Sequence, residues 1–384
     1  MSNLGTELSA RGHQVIWWTS THSHQTKTCF FDADRTIALS ENFQLRLLHS
    51  GGYPKNLSWQ RLVHHNRFAW KLFQQMNLQP RPDVVVCCLP IVEAVYACLR
   101  YTRRFGIPLV VDIRDPWPDI WLERIPPILE PLAKLALSPY YFVTRRAFAR
   151  AEVLVSISNR WLRWAIESGR RGVCELDSVI VHGVQPLRHG TLDDSPNIRT
   201  VLERLQGKLL FSFAGAFNRA YDLETVCKAA QTLQHRSEVH FLLAGNGPLY
   251  SALVENYGTL SNLTFLGWLK RPELDALLQN SHVGLIPYKG DMLGSKVYEY
   301  MSAGLPVVVS AFGDVQKLIA ETDTGLPYRV GDSSDFAASV TRLAEDAALR
   351  ERYSQNARAC FEENFNARKV YGDYADIIER APLL

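Results

Sequence analysis

The sequence predicts an α/β protein of two domains, each built on a parallel sheet with helices on both faces. Three observations carry this. At 384 residues the chain is too long for one ordinary core. Short valine-rich runs, among them DVVVCCLP, PLVVDI and HFLLAG, alternate with helical stretches, the pattern of strands buried on both sides. After Gly183 the stretch VQPLRHGTLDDSPN has the Pro, Gly, Asp and Ser content of a linker, which puts a domain boundary near residue 190. With 47% hydrophobic and 21% charged residues the composition is that of a soluble globular chain, and a net charge of +3 is too small to argue for nucleic acid. Seven cysteines without a C-x-x-C pair argue for a reducing compartment, and Cys87 and Cys88 read as inert core thiols. The chain shows neither a signal-peptide pattern nor an apolar run long enough to cross a bilayer, so a cytoplasmic protein, soluble or at a membrane surface, is expected.

In chain order, Met1 to His13 reads as a helix stopped by Gly12, with the strand VIWW directly after it. A doubly wound domain normally opens on a strand and a glycine-rich loop ahead of that helix, and neither is in this sequence. Because the first strand of such a sheet is central, its lack leaves a slot with unpaired backbone groups, as expected of a chain that starts late. The loop Ser20 to Thr28 brings His22 and His24 without further ligands at metal spacing, and reads as solvated or ligand-facing. Gln44 to His49 is a strand, Gly51 to Pro54 a turn, and Ser58 to Met76 a helix with Trp59, Leu62, Phe68 and Leu72 toward the core. A helix from Val92 to Phe105 joins DVVVCCLP to PLVVDIRDPWPDIW. The second of these strands delivers Arg114 and Asp115 past its carboxyl end, where ligands of such sheets bind. An Asp capping the next turn with an Arg as its partner fits the spacing equally well. Residues 117–151 mix apolar residues, prolines and tyrosines and end in Arg145, Arg146 and Arg150; they suit either a helix lying in a membrane interface or one packed between domains. EVLVSIS and SVIVHG are strands flanking a helix from Asn159 to Glu167.

The second domain restarts with KLLFSFAGAFNRAYDLETV, a strand running into Gly215, a loop and a helix. Arg219 in that loop is either a phosphate ligand or a solvated arginine. Gly245 and Gly247 permit close backbone approach after HFLLA, although a lone Gly-x-Gly is weak evidence. LTFLG leads to Trp268, and VGLIPY leads into DMLGSKVYEYMSAGLPVVVS, residues 291–310. There Ser295 to Met301 reads as a short helix entered through Gly294, and Val307 to Val309 as a buried strand. Helix-start amides beside the charge of Lys296 make an anion site, and Glu299, one turn after Ser295, can accept two hydrogen bonds from a sugar diol. The plainer reading is a solvated helix before a core strand. A strand in LIAETDTGLPYRVGD, helices from Ser333 to Asn364 and a last helix from Ala367 to Arg380 complete the chain.

On these residues the sequence resembles glycosyltransferase family 4. That family's donor motif is an acid, a Gly three residues later and a Glu eight after the first; Asp291, Gly294 and Glu299 match it, with Asp291 in place of the usual Glu. The resemblance implies the GT-B fold: two Rossmann-like domains with parallel sheets and an interdomain cleft. Residues 1–189 would form the acceptor side, 190–365 the donor side, and 366–384 a helix returning to the first domain. It also implies that the first strand and its Gly-rich loop are missing. In the family the first acid contacts the donor sugar, the amides around Gly294 and Ser295 hold sugar and diphosphate, and Glu299 holds the ribose. The turn of Gly245 and Gly247 lines the nucleotide pocket, and backbone beside Trp268 meets the base. Gly215 keeps the loop glycine, but Ala216 and Tyr221 stand where members carry an Arg and a Lys, so Arg219 is a shifted substitute and Lys296 the principal cation. The R-D-x-W-P form at Arg114 resembles the branch that assembles bacterial surface polysaccharides; many members carry His there, and Asp115 is kept. The implied reaction moves a sugar, with retention, from a nucleotide-diphosphate sugar to a hydroxyl of a lipid-linked glycan. Asp115, Arg114 and Asp291 are then the catalytic candidates; no cofactor, metal or nucleic acid is implied, and the expected location is the cytoplasm, either free or at the inner face of the cell membrane. A sugar-nucleotide epimerase and a non-catalytic nucleotide-sugar-binding subunit are the alternatives.

Overall fold

The computed structural model describes residues 2–24, 26–55, 58–187, 196–290, 294–310 and 312–383. The chain divides into two compact units, residues 1–182 with 370–384, and residues 183–369. The boundary expected near residue 190 lies outside the described residues.

The first unit holds β1 (Val15–Ser20), β2 (Arg35–Ser40), β3 (Phe43–Leu48), β4 (Val85–Leu89), β5 (Leu109–Ile113), β6 (Val153–Ser156) and β7 (Ser178–Val179). They form two sheets. One has the order β1-β3-β2, with β1 parallel and β2 antiparallel to β3; the other has the order β4-β5-β6-β7, all parallel. Thus β1 and β4 are both edge strands among the described residues, and the unit's strands form two sheets rather than one. Val110, Val111, Val153 and Val155 are fully buried, as helices on both faces require, and each contributes roughly 1.5–3 kcal/mol by leaving water. The helix Val92–Phe105 ends at Gly106, whose left-handed φ of 66° a side chain would strain.

Several elements differ from the sequence expectation. The strand Arg35–Ser40 and the helix Pro196–Arg204 were not anticipated; the former is a sheet edge that buries no residue, even though Ile37 and Leu39 share a face. The first helix is Ser2–Ala10, shorter than expected. In the helix Trp59–Asn77, Phe68 and Leu72 are buried but Trp59 and Leu62 face water, because only part of the apolar stripe meets the sheet. His22 is buried rather than solvated, packed against Tyr53 and His64 at ring separations of 4.4 and 5.2 Å, whereas His24 is exposed. The final helix, Ala367–Arg380, buries Tyr374 in the first unit and is tied to it by Arg11, which reaches Asp376 at 2.5 Å and Glu379 at 3.2 Å.

The second unit holds β8 (Leu209–Ala214), β9 (Val239–Ala244), β10 (Leu263–Gly267), β11 (Val283–Ile286), β12 (Val307–Ser310) and β13 (Gly325–Tyr328). Every pairing is parallel, in the order β10-β9-β8-β11-β12-β13. The chain builds outward from β8 to β10, then crosses back to add β11 to β13 on the other side. The winding direction therefore reverses between β8 and β11, which is where such sheets open a crevice beyond their carboxyl ends.

Candidate functional site

In the second unit, the loops leaving β8, β9 and β11 are laced together at that reversal point. Gly215 N–H donates to the Ala244 carbonyl at 2.9 Å, Phe217 N–H to Asn246 at 2.9 Å, and Gly245 N–H to Gly267 at 2.6 Å. On the other side Asp222 N–H donates to Pro287 at 2.7 Å and Lys289 N–H to Ala220 at 2.9 Å. Gly245 and Gly247 both have positive φ, 134° and 154°. A Cβ on Gly245 would collide with the Gly215 carbonyl, and one on Gly247 would lie 2.6 Å from the Phe217 oxygen. The close approach that these glycines permit is made by the protein's own backbone.

The helix Ser295–Ser302 starts at Gly294 in extended conformation (φ −86°, ψ 161°) without a side-chain cap, so its first amides are not satisfied by a capping residue. A Cβ on Gly294 would stand 2.7 Å from the Tyr288 hydroxyl, and one on Gly215 would collide with the Lys296 ammonium. Lys296 runs beneath the β8 loop. Its Nζ donates to the Ala214 carbonyl and lies 4.9 Å from the centre of the Phe213 ring and 5.3 Å from that of Tyr221. Among the described residues it has no carboxylate within ion-pair distance. Burial lowers its pKa to about 8, with Glu299 pulling weakly the other way. Relative to a solvated lysine, keeping that charge costs on the order of 3 kcal/mol.

Glu299 is partly buried, with one carboxylate oxygen 3.5 Å from Arg271, which also pairs with Asp275 at 2.8 Å. Ser295 and Arg219 are exposed, and the Trp268 indole is 75% exposed immediately after β10. Asp291 lies outside the described residues. The structure thus brings Gly215, Gly245, Gly294 and Lys296 into one constellation.

The first unit places Arg114 and Asp115 beyond β5, but the arginine does not partner Asp115 as a capping pair would. Its Nε lies 2.7 Å from Asp112 Oδ1 and its Nη2 donates to Oδ2 at 2.7 Å, while Nη1 is 3.4 Å from His182 Nδ1. Burial alone would lower the Arg114 pKa; the fully buried Asp112 outweighs it and the net direction is upward. Asp115 has no ion-pair partner among the described residues, and burial raises its pKa. Asp112 is the penultimate residue of β5 and Arg114 the first beyond it, so an i, i+2 spacing that the sequence carried brings them together. The aromatic platform under Lys296 had no such local signal, since Phe213 on β8 and Tyr221 in the loop after it lie more than seventy residues away.

The family description "Glycosyl transferases group 1" matches residues 194–359, and "Glycosyl transferase 4-like domain" matches residues 1–173. The chain belongs to glycosyltransferase family 4. Similar members include an alpha-D-kanosaminyltransferase of Streptomyces kanamyceticus, 25% identical over 273 residues, 67% of this chain and 66% of that protein. A second is a UDP-Gal:alpha-D-GlcNAc-diphosphoundecaprenol alpha-1,3-galactosyltransferase of Escherichia coli, 29% identical over 141 residues and 36% of each chain. This family-4 chain thus spans less than two thirds of the length of either relative. The fold is GT-B: a structure described as trehalose-6-phosphate from E. coli bound with UDP-2-fluoro glucose superposes at a TM-score of 0.72 and 14% identity, covering 98% of this chain and 95% of that one.

Proposed function

We propose that this protein is a retaining glycosyltransferase that moves a sugar from a nucleotide-diphosphate sugar to a hydroxyl of a lipid-linked glycan in bacterial surface-polysaccharide assembly. The observation that carries the reading is Lys296, a cation held at a helix start with burial against it and no carboxylate beside it among the described residues. Such a charge is costly until an anion arrives, and a diphosphate is the anion that helix-start amides also bind.

In this reading, negative charge grows on the diphosphate as the sugar's anomeric C–O bond breaks. Lys296 and the amides from Gly294 onward stabilise it, with the exposed Arg219 at the outer phosphate and no metal required. The leaving phosphate oxygen takes the acceptor proton on the face from which it departs, so the acceptor adds with retention. Asp115 orients the acceptor hydroxyl by accepting a hydrogen bond. Asp291 contacts the donor sugar, Glu299 takes the ribose diol, and the exposed Trp268 offers a face to the base. The printed names of the E. coli relative and structure, with UDP-Gal and UDP-2-fluoro glucose, favour uracil. No described helix is long and apolar enough to cross a membrane. We place the protein at the inner membrane face, through the helix Glu130–Ala136, which buries none of its residues and exposes Leu132 and Leu135.

A thermal-shift panel of UDP, GDP and their sugar conjugates, read against Glu299→Ala, tests the donor half. A shift by one nucleotide class that the variant loses supports the reading, and no shift by any of them contradicts it. NMR of the product's anomeric proton tests retention.

A further inference from the structure

A groove of about 430 Å³ crosses the first unit between the helices Trp59–Asn77, Val92–Phe105 and Ser138–Phe148. Its walls are apolar, with Phe73, Trp70, Tyr96, Ala97 and Val143 among them. It follows the helix Val92–Phe105 from its start to Arg100, about 12 Å at the usual helical rise. The volume falls in the range of small-molecule sites.

The two ends differ. At the inner end Glu93, four residues past the carboxyl end of β4, accepts a hydrogen bond from Tyr140 at 2.8 Å and lies 3.5 Å from His65. From Tyr140 an aromatic chain runs back toward Asp115: Trp121 at 5.7 Å, then Trp117 at 4.7 Å from Trp121. The other side is open and apolar. Trp70 is 61% exposed and Phe142 62%, and the segment leading into the third helix exposes Ile128, Leu132 and Leu135. An apolar face of this extent on a soluble unit marks a binding surface.

Charge selects the occupant. The two helices Trp59–Asn77 and Val92–Phe105 with residues 127–148 carry nine lysines and arginines against two carboxylates, Glu93 and Glu130, in a chain whose net charge is only +3. Both carboxylates are engaged, Glu93 as above and Glu130 with Lys134 at 2.6 Å. Arg100 stacks over Phe73 at 4.8 Å toward the outer end, and Arg61 lies 5.1 Å from the Trp117 ring at the end toward Asp115, where an anionic head group would meet it.

We propose that this groove holds the hydrocarbon chain of an anionic amphiphile, the acceptor, whose polar end then points along the aromatic chain toward Asp115. This deepens the lipid-linked reading above and rests on it for the acceptor's role. The groove itself is argued from its shape, apolar lining and charge.

The test is titration of the full chain with dodecyl phosphate below its micelle concentration, with butyl phosphate as the head-group control. Dodecyl phosphate is expected to bind and butyl phosphate not. Ala97→Trp, which fills the groove, should weaken binding at least tenfold, and Arg61→Glu, at the head-group end, several-fold. Leu132→Ser should leave dodecyl phosphate binding unchanged while reducing adhesion to anionic phosphatidylglycerol vesicles. Equal binding of the two phosphates, or unchanged binding to a folded Ala97→Trp, overturns the proposal. So does a dimer, seen by light scattering, that Ala97→Trp dissociates, since the groove would then belong to a second copy. Should Ala97→Trp not fold, the exposed Trp70→Ala and Tyr96→Ala decide: loss of binding supports the proposal and retention sinks it. The UDP-induced thermal shift is read on the same samples. A groove that binds with no UDP shift breaks the donor reading alone, and a UDP shift without dodecyl phosphate binding breaks this inference alone.

Discussion

Each unit buries a cation at the carboxyl side of a parallel sheet, and the two treat it in opposite ways. Arg114 is met by Asp112 through two contacts of 2.7 Å, and its pKa moves up. Lys296 is met by a carbonyl and two aromatic rings, and its pKa falls to about 8. The direction of the shift reports whether the chain supplies the counter-charge. Arg114 is already neutralised and holds the strand end in place; Lys296 is left for a ligand to neutralise. Asp115, freed from Arg114, remains the functional carboxylate of the first unit in our reading.

The largest effect that would break this comparison concerns the satisfied pair. Asp112→Asn strips a buried arginine of its counter-charge and should cost about 3–5 kcal/mol in urea unfolding. Unchanged stability would mean that Arg114 is not held by Asp112.

Acid should act on both units through buried histidines. His64 and His240 have folded pKa values of about 4, each lowered first by burial. An unfolded histidine takes its proton near pH 6.5, so between about 6.5 and 4 the unfolded state binds more protons and stability falls as the pH drops. Each contributes about 3 kcal/mol across that window. Denaturant midpoints should therefore decline below pH 6.5, less steeply in His64→Gln and His240→Gln; parallel declines would contradict the assignment.

Lys296→Met should do the reverse of Asp112→Asn. It removes a buried charge with no ion-pair partner among the described residues at the loss of one hydrogen bond, so the free protein gains about 2 kcal/mol while its nucleotide-induced shift disappears. A variant both less stable and still nucleotide-responsive would refute the proposed role. In the parent, kcat/KM should fall above pH about 8 as the free enzyme's ammonium is lost. The smallest expected effect is at Trp268, where replacement by Ala should weaken UDP binding by about 1–3 kcal/mol if the indole stacks on the base.

Much of the fold was legible because valine-rich strands and helical stretches alternate with few interruptions. The helices Val92–Phe105 and Ala367–Arg380 fall on their expected residues, since Gly106 and the preceding Asn366 punctuate them. Strand β2 escaped because it is a short edge that buries no residue, and the burial of His22 because Tyr53 and His64 reach it only after folding. The helix start at Gly294 could be read from local spacing. The fall in the Lys296 pKa could not, because it depends on Phe213 and Tyr221 closing over the side chain. Arg114 teaches a narrower lesson. The adjacent Asp115 drew attention, but the partner was Asp112, two residues back on β5.

The most direct test of the account is an NMR titration of the lysine ε-methylene signals, with Lys296 assigned by comparison with Lys296→Met, in the free protein and with saturating UDP. The account predicts one lysine titrating at about 8 in the free protein and moving up by at least one unit when the diphosphate is bound. A Lys296 that titrates near 10.5 in the free protein, or whose titration UDP leaves unchanged, would contradict it.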